Sequence, residues 1–468
     1  NREVRLGQYA LLGIGGIRAL RALGIEAAVV HVNEGHAALA AFELAREAVD
    51  AGAAREDALD AARERLVFTT HTPVAAGNET YAADELWRVL GDLPDDLGLP
   101  REEILGRGRI HPSDPDEPLG LTVLALRASR SANGVSRVHG GVARGMWHEV
   151  WPDRAVEEVP IGHVTNGVHL PTWMAAPMRE LMDRYLGDGW TERAADPRTW
   201  DPVDDIPDEE LWAVRKRMRK LCVDYVRERS IAGHLGRAER LASIASWTQP
   251  LSPDILTVGF ARRLASYKRL HLLPHGDPAR FRRLLQGDPP VQWLLAGKAH
   301  PLDDEAKAIL QRTNALLGRD DDVRQRLAYV EDYDLAVATR LVAGCDVWTN
   351  APRPPLEACG TSGMKAMLNG ALNLSVLDGW WAEAYDGSNG WAIPADPTEN
   401  EAAHDDRDRH ITLDLFEREI LPLFYDRDAD GVPRGWMRRV KRSLRTNGPR
   451  FCTSRMLRDY VAEVYAKG

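Results

Sequence analysis

Short apolar runs alternate along this chain with amphipathic helical stretches, and that alternation constrains the fold more than any other feature. Residues 27–32, 66–70 and 161–164 read as strands in the first half, and residues 255–260, 291–296, 326–330 and 346–349 in the second. Strands apolar on both faces need helices on both sides, which predicts an α/β architecture with largely parallel sheets. Residues 11–23 read as a helix despite Gly13, Gly15 and Gly16, and a second helix runs from the turn at 33–36 to about residue 49. Polar residues follow the carboxyl ends of the strands, where open α/β sheets bind their ligands. Residues 208–230 read as a charged, one-face-packed helix, and the Pro- and Asp-rich stretch 174–207 as a connection. The charge run 405–409 reads as a surface loop. The expected fold class is therefore α/β, with two Rossmann-like lobes around a central cleft.

Composition removes several classes of partner. With 468 residues the chain has room for two or three domains. Its 70 acidic and 60 basic side chains give a net charge of −10 without a lysine cluster, which argues against nucleic acid. No apolar run reaches membrane-spanning length, and the opening residues Asn1-Arg2-Glu3-Val4 carry no signal-peptide core. The four cysteines are scattered without zinc spacing, so no metal is expected, and a reducing cytoplasm fits them. The missing initiator Met and the abrupt helical start read as a fragment or a processed chain.

Only eight of the basic residues are lysine, so each lysine is informative. Lys365 lies in Glu357-Ala358-Cys359-Gly360-Thr361-Ser362-Gly363-Met364-Lys365-Ala366-Met367, a Gly/Ser/Thr loop opening a helix. Backbone N–H groups in such a loop can hold an anion. An amine within an apolar run has its pKa lowered by desolvation, as a Schiff base requires, or it snorkels to the surface. Arg262, Arg263, Lys268 and Arg269 follow the strand at 255–260, a cation cluster suited to phosphate or, alternatively, a solvated basic helix start. Lys298 follows the next strand. Trp380 and Trp381, among 14 tryptophans, could stack on sugars but read better as core.

GTSGMKAMLNGA with its upstream Glu357, ARRLASYKR, AGKAHP, VNEGH, TTHT and TNGV with Trp173 occur in one order along nearly the whole chain. Together they resemble the α-glucan (glycogen, starch, maltodextrin) phosphorylases, in their shorter bacterial and archaeal form. The resemblance implies a retaining glycosyltransferase of the GT-B type with an incomplete first lobe. Its implied limits are 1–173 for the rest of the first lobe, 174–207 for the connection, 208–435 for the cofactor-binding lobe and 436–468 for terminal helices. It implies pyridoxal 5'-phosphate held as a Schiff base on Lys365, with the cofactor's phosphate exchanging a proton with orthophosphate. Arg263 and Lys268 match residues that bind the substrate phosphate. Arg262, usually lysine in the family, Thr361, Gly363, Tyr333 and Trp173 match the cofactor pocket. Glu357, Asn166, Tyr267, Cys359 and Gly360 match contacts to the glucosyl ring, with Cys359 standing where the family has serine. His71 matches a residue whose carbonyl faces the anomeric centre, and His36 a cleft-lining position; without the resemblance both read as structural.

The implied partners are an α-1,4-glucan, orthophosphate and glucose-1-phosphate, with no membrane, in a homodimer. The resemblance also implies a missing N-terminal segment bearing a Gly-rich loop and a missing C-terminal segment, so that the chain alone binds the cofactor poorly or is inactive. Two other readings stay open. One is a glycogen or starch synthase-like enzyme using a nucleotide sugar, which lacks the Schiff-base lysine; the other is a degenerate carbohydrate-binding protein.

Overall fold

The apolar runs do become strands, each carried between helices. The computed structural model describes residues 2–74, 77–237, 251–319, 321–396 and 400–466. Within-chain contacts divide it into two units, Asn1–Thr165 with Leu457–Gly468, and Asn166–Met456.

In the first unit, β1 (Val30–Asn33), β2 (Leu66–Thr69), β3 (Ser131–Gly134) and β4 (Ile161–His163) form a wholly parallel sheet in that order. Helices α1 (Ala40–Asp50) and α2 (Arg137–Met146) belong to the crossovers that parallel strands require. Phe42, Leu44, Phe68, Leu105 and Leu124 are buried in one continuous core. Ser136 caps α2, its hydroxyl accepting from the His139 N–H at 3.1 Å.

In the second unit, six parallel strands run β5 (Leu256–Ala261), β6 (Val291–Ala296), β7 (Leu327–Val330), β8 (Val347–Asn350), β9 (Leu372–Val376) and β10 (Gly390–Ile393). Their spatial order is β10-β9-β8-β5-β6-β7. From β5 the chain builds outward one way to β7, then returns to β8 and builds the other way. The pair β5 and β8 is therefore a topological switch point, whose carboxyl ends open a ligand crevice in doubly wound sheets. Among the helices packed on this sheet are α3 (Asp208–Gly236), α4 (Leu335–Gly344), α5 (Thr361–Met367) and α6 (Glu401–Leu415).

Three strands of these two parallel sheets escape the sequence reading, as does a separate two-stranded pair, Thr80–Tyr81 with Leu119–Gly120. β3 is Ser-Ala-Asn-Gly, with little strand propensity, and β10 is short. β9 alternates Leu with Asn373 and Ser375 and looks one-sided, yet all five residues are buried. The 174–207 stretch contains a helix, Ala176–Leu186, and two buried tryptophans, Trp190 and Trp200, packed edge-on at 5.3 Å.

The charge run 405–409 is a correction. It lies inside α6 rather than in a surface loop, and Asp408 is fully buried. Asp405 and Asp408 share one helix face and receive the buried Arg269 at 3.1 and 2.7 Å. The compensating charge lies far away in sequence, so local pattern misreads the run. Among the described residues no helix is long and apolar enough to cross a membrane, and no cluster of His, Cys, Asp or Glu is placed to hold a metal.

Candidate functional site

Both sides of the switch point carry charge. β5 runs directly into Arg262, whose guanidinium lies over the Phe260 ring at 4.5 Å and donates to the Thr349 carbonyl on β8 at 2.6 Å. Burial pulls its pKa down, with the nearby Glu357 opposing. A second nitrogen lies 4.0 Å from the Glu357 carboxylate. Lys268 Nζ donates to the same carboxylate at 2.5 Å and sits 4.7 Å from the Tyr267 ring. Burial lowers the Lys268 pKa, and Glu357 again opposes. The Tyr267 phenol is raised by burial and then by Glu357; Tyr333, after β7, is raised by burial while Arg262 acts against it. Arg263 is exposed, and its charge is felt at both Tyr267 and Lys268. Two buried polar atoms at the crevice, Arg262 Nε and Asn350 Oδ1 at the end of β8, have no hydrogen-bond partner among the described residues. Such atoms are costly unless a ligand or solvent satisfies them.

The loop 357–360 is held by its main chain. Asp378, just past β9, accepts the Glu357 N–H at 2.9 Å and the Gly379 N–H at 2.8 Å. Burial lifts the Asp378 carboxyl to about 6. The Trp380 N–H donates to the Cys359 carbonyl at 2.8 Å. Burial pushes the Cys359 thiol up, and its partner is the backbone of Asn166, whose own carbonyl accepts from Arg455 at 3.0 Å. Gly360 adopts φ +88°, a left-handed conformation that a side chain would strain, and so turns the loop into α5. Thr361 opens α5. At Gly363 an added Cβ would lie 2.5 Å from Asn373 Oδ1, so only glycine lets α5 pack this closely on β9.

Lys365 projects from α5 onto Trp173, its Nζ 3.7 Å from the ring centroid. Burial lowers its pKa, and among the described residues Nζ has no hydrogen bond or ion pair. Asn369, one turn on, clasps this pairing. Its amide donates to the Lys365 carbonyl at 2.9 Å and the Trp173 carbonyl at 2.8 Å, and its oxygen accepts the Ala175 N–H at 2.8 Å.

In the first unit, His71 follows β2. Its N–H donates to Glu34, and its Nε2 lies 2.9 Å from Asn33 Oδ1. Burial lowers the His71 pKa, Glu34 opposes, and His36 adds to the lowering. His36 stands in a single turn, Gly35–Ala37, with its ring 5.0 Å from Tyr9.

The second unit thus gathers Arg262, Tyr267 and Lys268 around the Glu357 carboxylate, with Arg263 near Tyr267 and Lys268 and Tyr333 near Arg262, pairs Lys365 with Trp173, and sets Asn166 against Cys359. Arg269 leaves the cation cluster for α6, and Lys298 is exposed, facing Asp332 at 3.8 Å. Sequence reading missed Asp378, Asn350 and Asn369. Each had a faint signal: two follow or end strands, and one lies four residues after Lys365. Chemically, the cluster can hold an anion beside a carboxylate that accepts hydroxyl hydrogen bonds.

Comparison with known proteins places the chain in a family. The family model described as carbohydrate phosphorylase matches residues 101–386. The glycogen phosphorylase of Mycobacterium tuberculosis is 42% identical over 480 residues, covering 100% of this chain and 55% of that protein. The glycogen phosphorylase of Aquifex aeolicus is 37% identical over 468 residues, covering 100% of this chain and 66% of its own length. The maltodextrin phosphorylase of Thermococcus litoralis is 38% identical over 471 residues, with 100% and 54% covered. The chain spans between half and two thirds of these relatives.

Proposed function

The chain belongs to the carbohydrate phosphorylase family, and from that premise we propose that the protein cleaves an α-1,4-glucan such as glycogen, starch or a maltodextrin with orthophosphate. The proposed products are α-D-glucose-1-phosphate and a glucan one unit shorter. The observation that carries the reading is the Lys365 amine, half-buried on Trp173, lowered in pKa and without a partner among the described residues. An amine kept from charge in that way can take an aldehyde.

Pyridoxal 5'-phosphate fits these residues. Lys365 would anchor it, with Trp173, Tyr333 and Gly363 as walls and Arg262 and Thr361 toward its phosphate. The orphaned Arg262 Nε is a donor that an anionic group would satisfy. When bound, the cofactor supplies through its phosphate a proton donor and acceptor next to orthophosphate.

Lys268 and Arg263 bind the orthophosphate in this reading, and their charges offset the repulsion between two phosphate groups. The Lys268–Glu357 bond ties phosphate binding to the sugar contact, since one lysine serves both groups. Glu357, Asn166 and Tyr267 accept or donate to glucosyl hydroxyls, and Cys359 and Gly360 contribute backbone amides. A cysteine in place of serine is compatible with a main-chain contact. The roles of His71, through its carbonyl, and of His36 rest on family resemblance, as does a homodimer, and a cytoplasmic setting rests on the four free cysteines.

The test is borohydride reduction of the full-length protein after loading with pyridoxal 5'-phosphate, followed by peptide mass mapping. A pyridoxyl adduct on Lys365, together with release of glucose-1-phosphate from glucan and orthophosphate, is expected. No adduct, or one on another lysine such as Lys298, overturns the reading.

A further inference from the structure

All four cysteines are free and buried. Two of them, Cys222 on α3 and Cys345 between α4 and β8, belong to one buried core cluster, and burial and then the neighbouring Cys222 thiol raise the Cys345 pKa. The packing there is tight. A Cβ added at Gly344 would fall 2.0 Å from Cys222 Cβ and 2.9 Å from its Sγ, so α3 crosses the end of α4 with only hydrogen between them. Neither thiol has a part in the proposed phosphorolysis. Cys222 also lines a cavity of about 470 Å³, walled by Trp173, Met218, Tyr225, Arg217 and Arg340. A space of that size holds several waters, and so admits a small neutral oxidant.

We infer that Cys222 and Cys345 form a redox-responsive dithiol, which a hydroperoxide entering this cavity converts to a disulfide. Cys222 faces the oxidant and acts first. As its sulfur attacks one peroxide oxygen, the O–O bond breaks, and the leaving hydroxide takes the Cys222 thiol proton to form water. Cys222 is left as a sulfenic acid. The Cys345 sulfur then attacks the Cys222 sulfur, the S–O bond breaks, and hydroxide leaves with the Cys345 proton as a second water. Two thiols are oxidised by two electrons in total, and one peroxide is reduced to two waters.

The inference is independent of the phosphorylase reading, because its readout is thiol chemistry alone. The chain is treated with hydrogen peroxide, unfolded in iodoacetamide and mapped by peptide mass. A Cys222–Cys345 linked peptide that disappears with dithiothreitol is expected, with Cys359 and Cys452 alkylated. In Cys345→Ser, dimedone is expected to label Cys222. Full alkylation of both thiols after peroxide, their conversion to sulfonic acids without a link, or a link to Cys359 or Cys452 overturns the inference. Should Cys345→Ser fail to fold, the map of the unaltered chain decides alone.

Discussion

Glu357 is the residue on which the second unit's charges converge, with Lys268 at 2.5 Å and Arg262 at 4.0 Å, all three nearly buried. Removing one partner of a buried pair leaves the other charge uncompensated, at a cost of about 3–5 kcal/mol. Glu357→Gln is therefore expected to lower unfolding stability by that order in denaturant titration. It should also make orthophosphate a stronger stabiliser, because two unpaired cations then await an anion. Equal phosphate stabilisation of both proteins would refute the idea that these cations form an anion site. Asp378 gives a second, pH-dependent prediction. Its carboxyl rises from an ordinary aspartate value near 4 to about 6, because burial disfavours the charge. A raised acid binds its proton more tightly when folded, so the contribution is present below about pH 4 and is lost as pH rises through about 6. At about 1.4 kcal/mol per pKa unit, the span amounts to about 3 kcal/mol. Asp378→Asn should remove that slope, so the stability difference between the two proteins should change between pH 4 and 7 and be flat outside it.

At the scale of elements, strands flanked by turn residues and apolar on both faces were legible, and β6 matches its sequence reading residue for residue. What stayed hidden were elements whose polarity is satisfied from elsewhere in the chain. Asn373 on β9 donates to the Gly363 carbonyl at 3.1 Å, so the amide N–H of a polar residue inside the sheet is satisfied from a distant helix while its Oδ1 has no partner among the described residues, and no local pattern announces it. The site was legible where short motifs crowd chemistry together, as at 262–268 and 357–365. It was illegible where a distant side chain does the positioning, as the Asp378 carboxylate does by accepting the Glu357 N–H. The C-terminal element is held in the same long-range way. His31 on β1 hydrogen-bonds Tyr465 at 2.8 Å and Thr69 at 2.7 Å, and Asn133 on β3 donates to Tyr460 at 3.2 Å. Burial, with His71 nearby, lowers His31 to about 4. A depressed histidine contributes stability that is present above about pH 6.5 and lost as pH falls through about 4. Hydrogen exchange in residues 457–466 should therefore accelerate relative to β2 as pH is lowered from 7 to 4, after correction for intrinsic rates. Tyr465→Phe should already exchange faster at pH 7 and show a weaker acceleration.

Across the molecule, the second unit is tied together by a buried ionic knot. Asp346, immediately before β8, receives Arg219 at 2.7 Å and Arg215 at 3.4 Å, all three essentially inaccessible to water. Its second oxygen accepts the Thr257 N–H on β5 at 3.0 Å. Arg215 goes further, donating to the carbonyls of Ala343, Asn369 and Cys345 at 2.6–2.7 Å. The knot thus joins α3 to the end of α4, to the starts of the two switch-point strands, and to the residue that clasps Lys365 to Trp173. Two buried arginines around one carboxylate tolerate no loss of that carboxylate, because no other acid lies among the named partners to take either charge. Asp346→Asn should consequently destabilise the second unit by about 3–5 kcal/mol in denaturant unfolding. It should also loosen the Lys365 helix before global unfolding, because Asn369 loses a fixed neighbour. The expected sign of that loosening is faster hydrogen exchange in residues 361–369 than in β6 at denaturant concentrations where the sheet is intact. A variant that is destabilised uniformly, with 361–369 and β6 exchanging in step, would show that the knot holds the core but does not position the lysine.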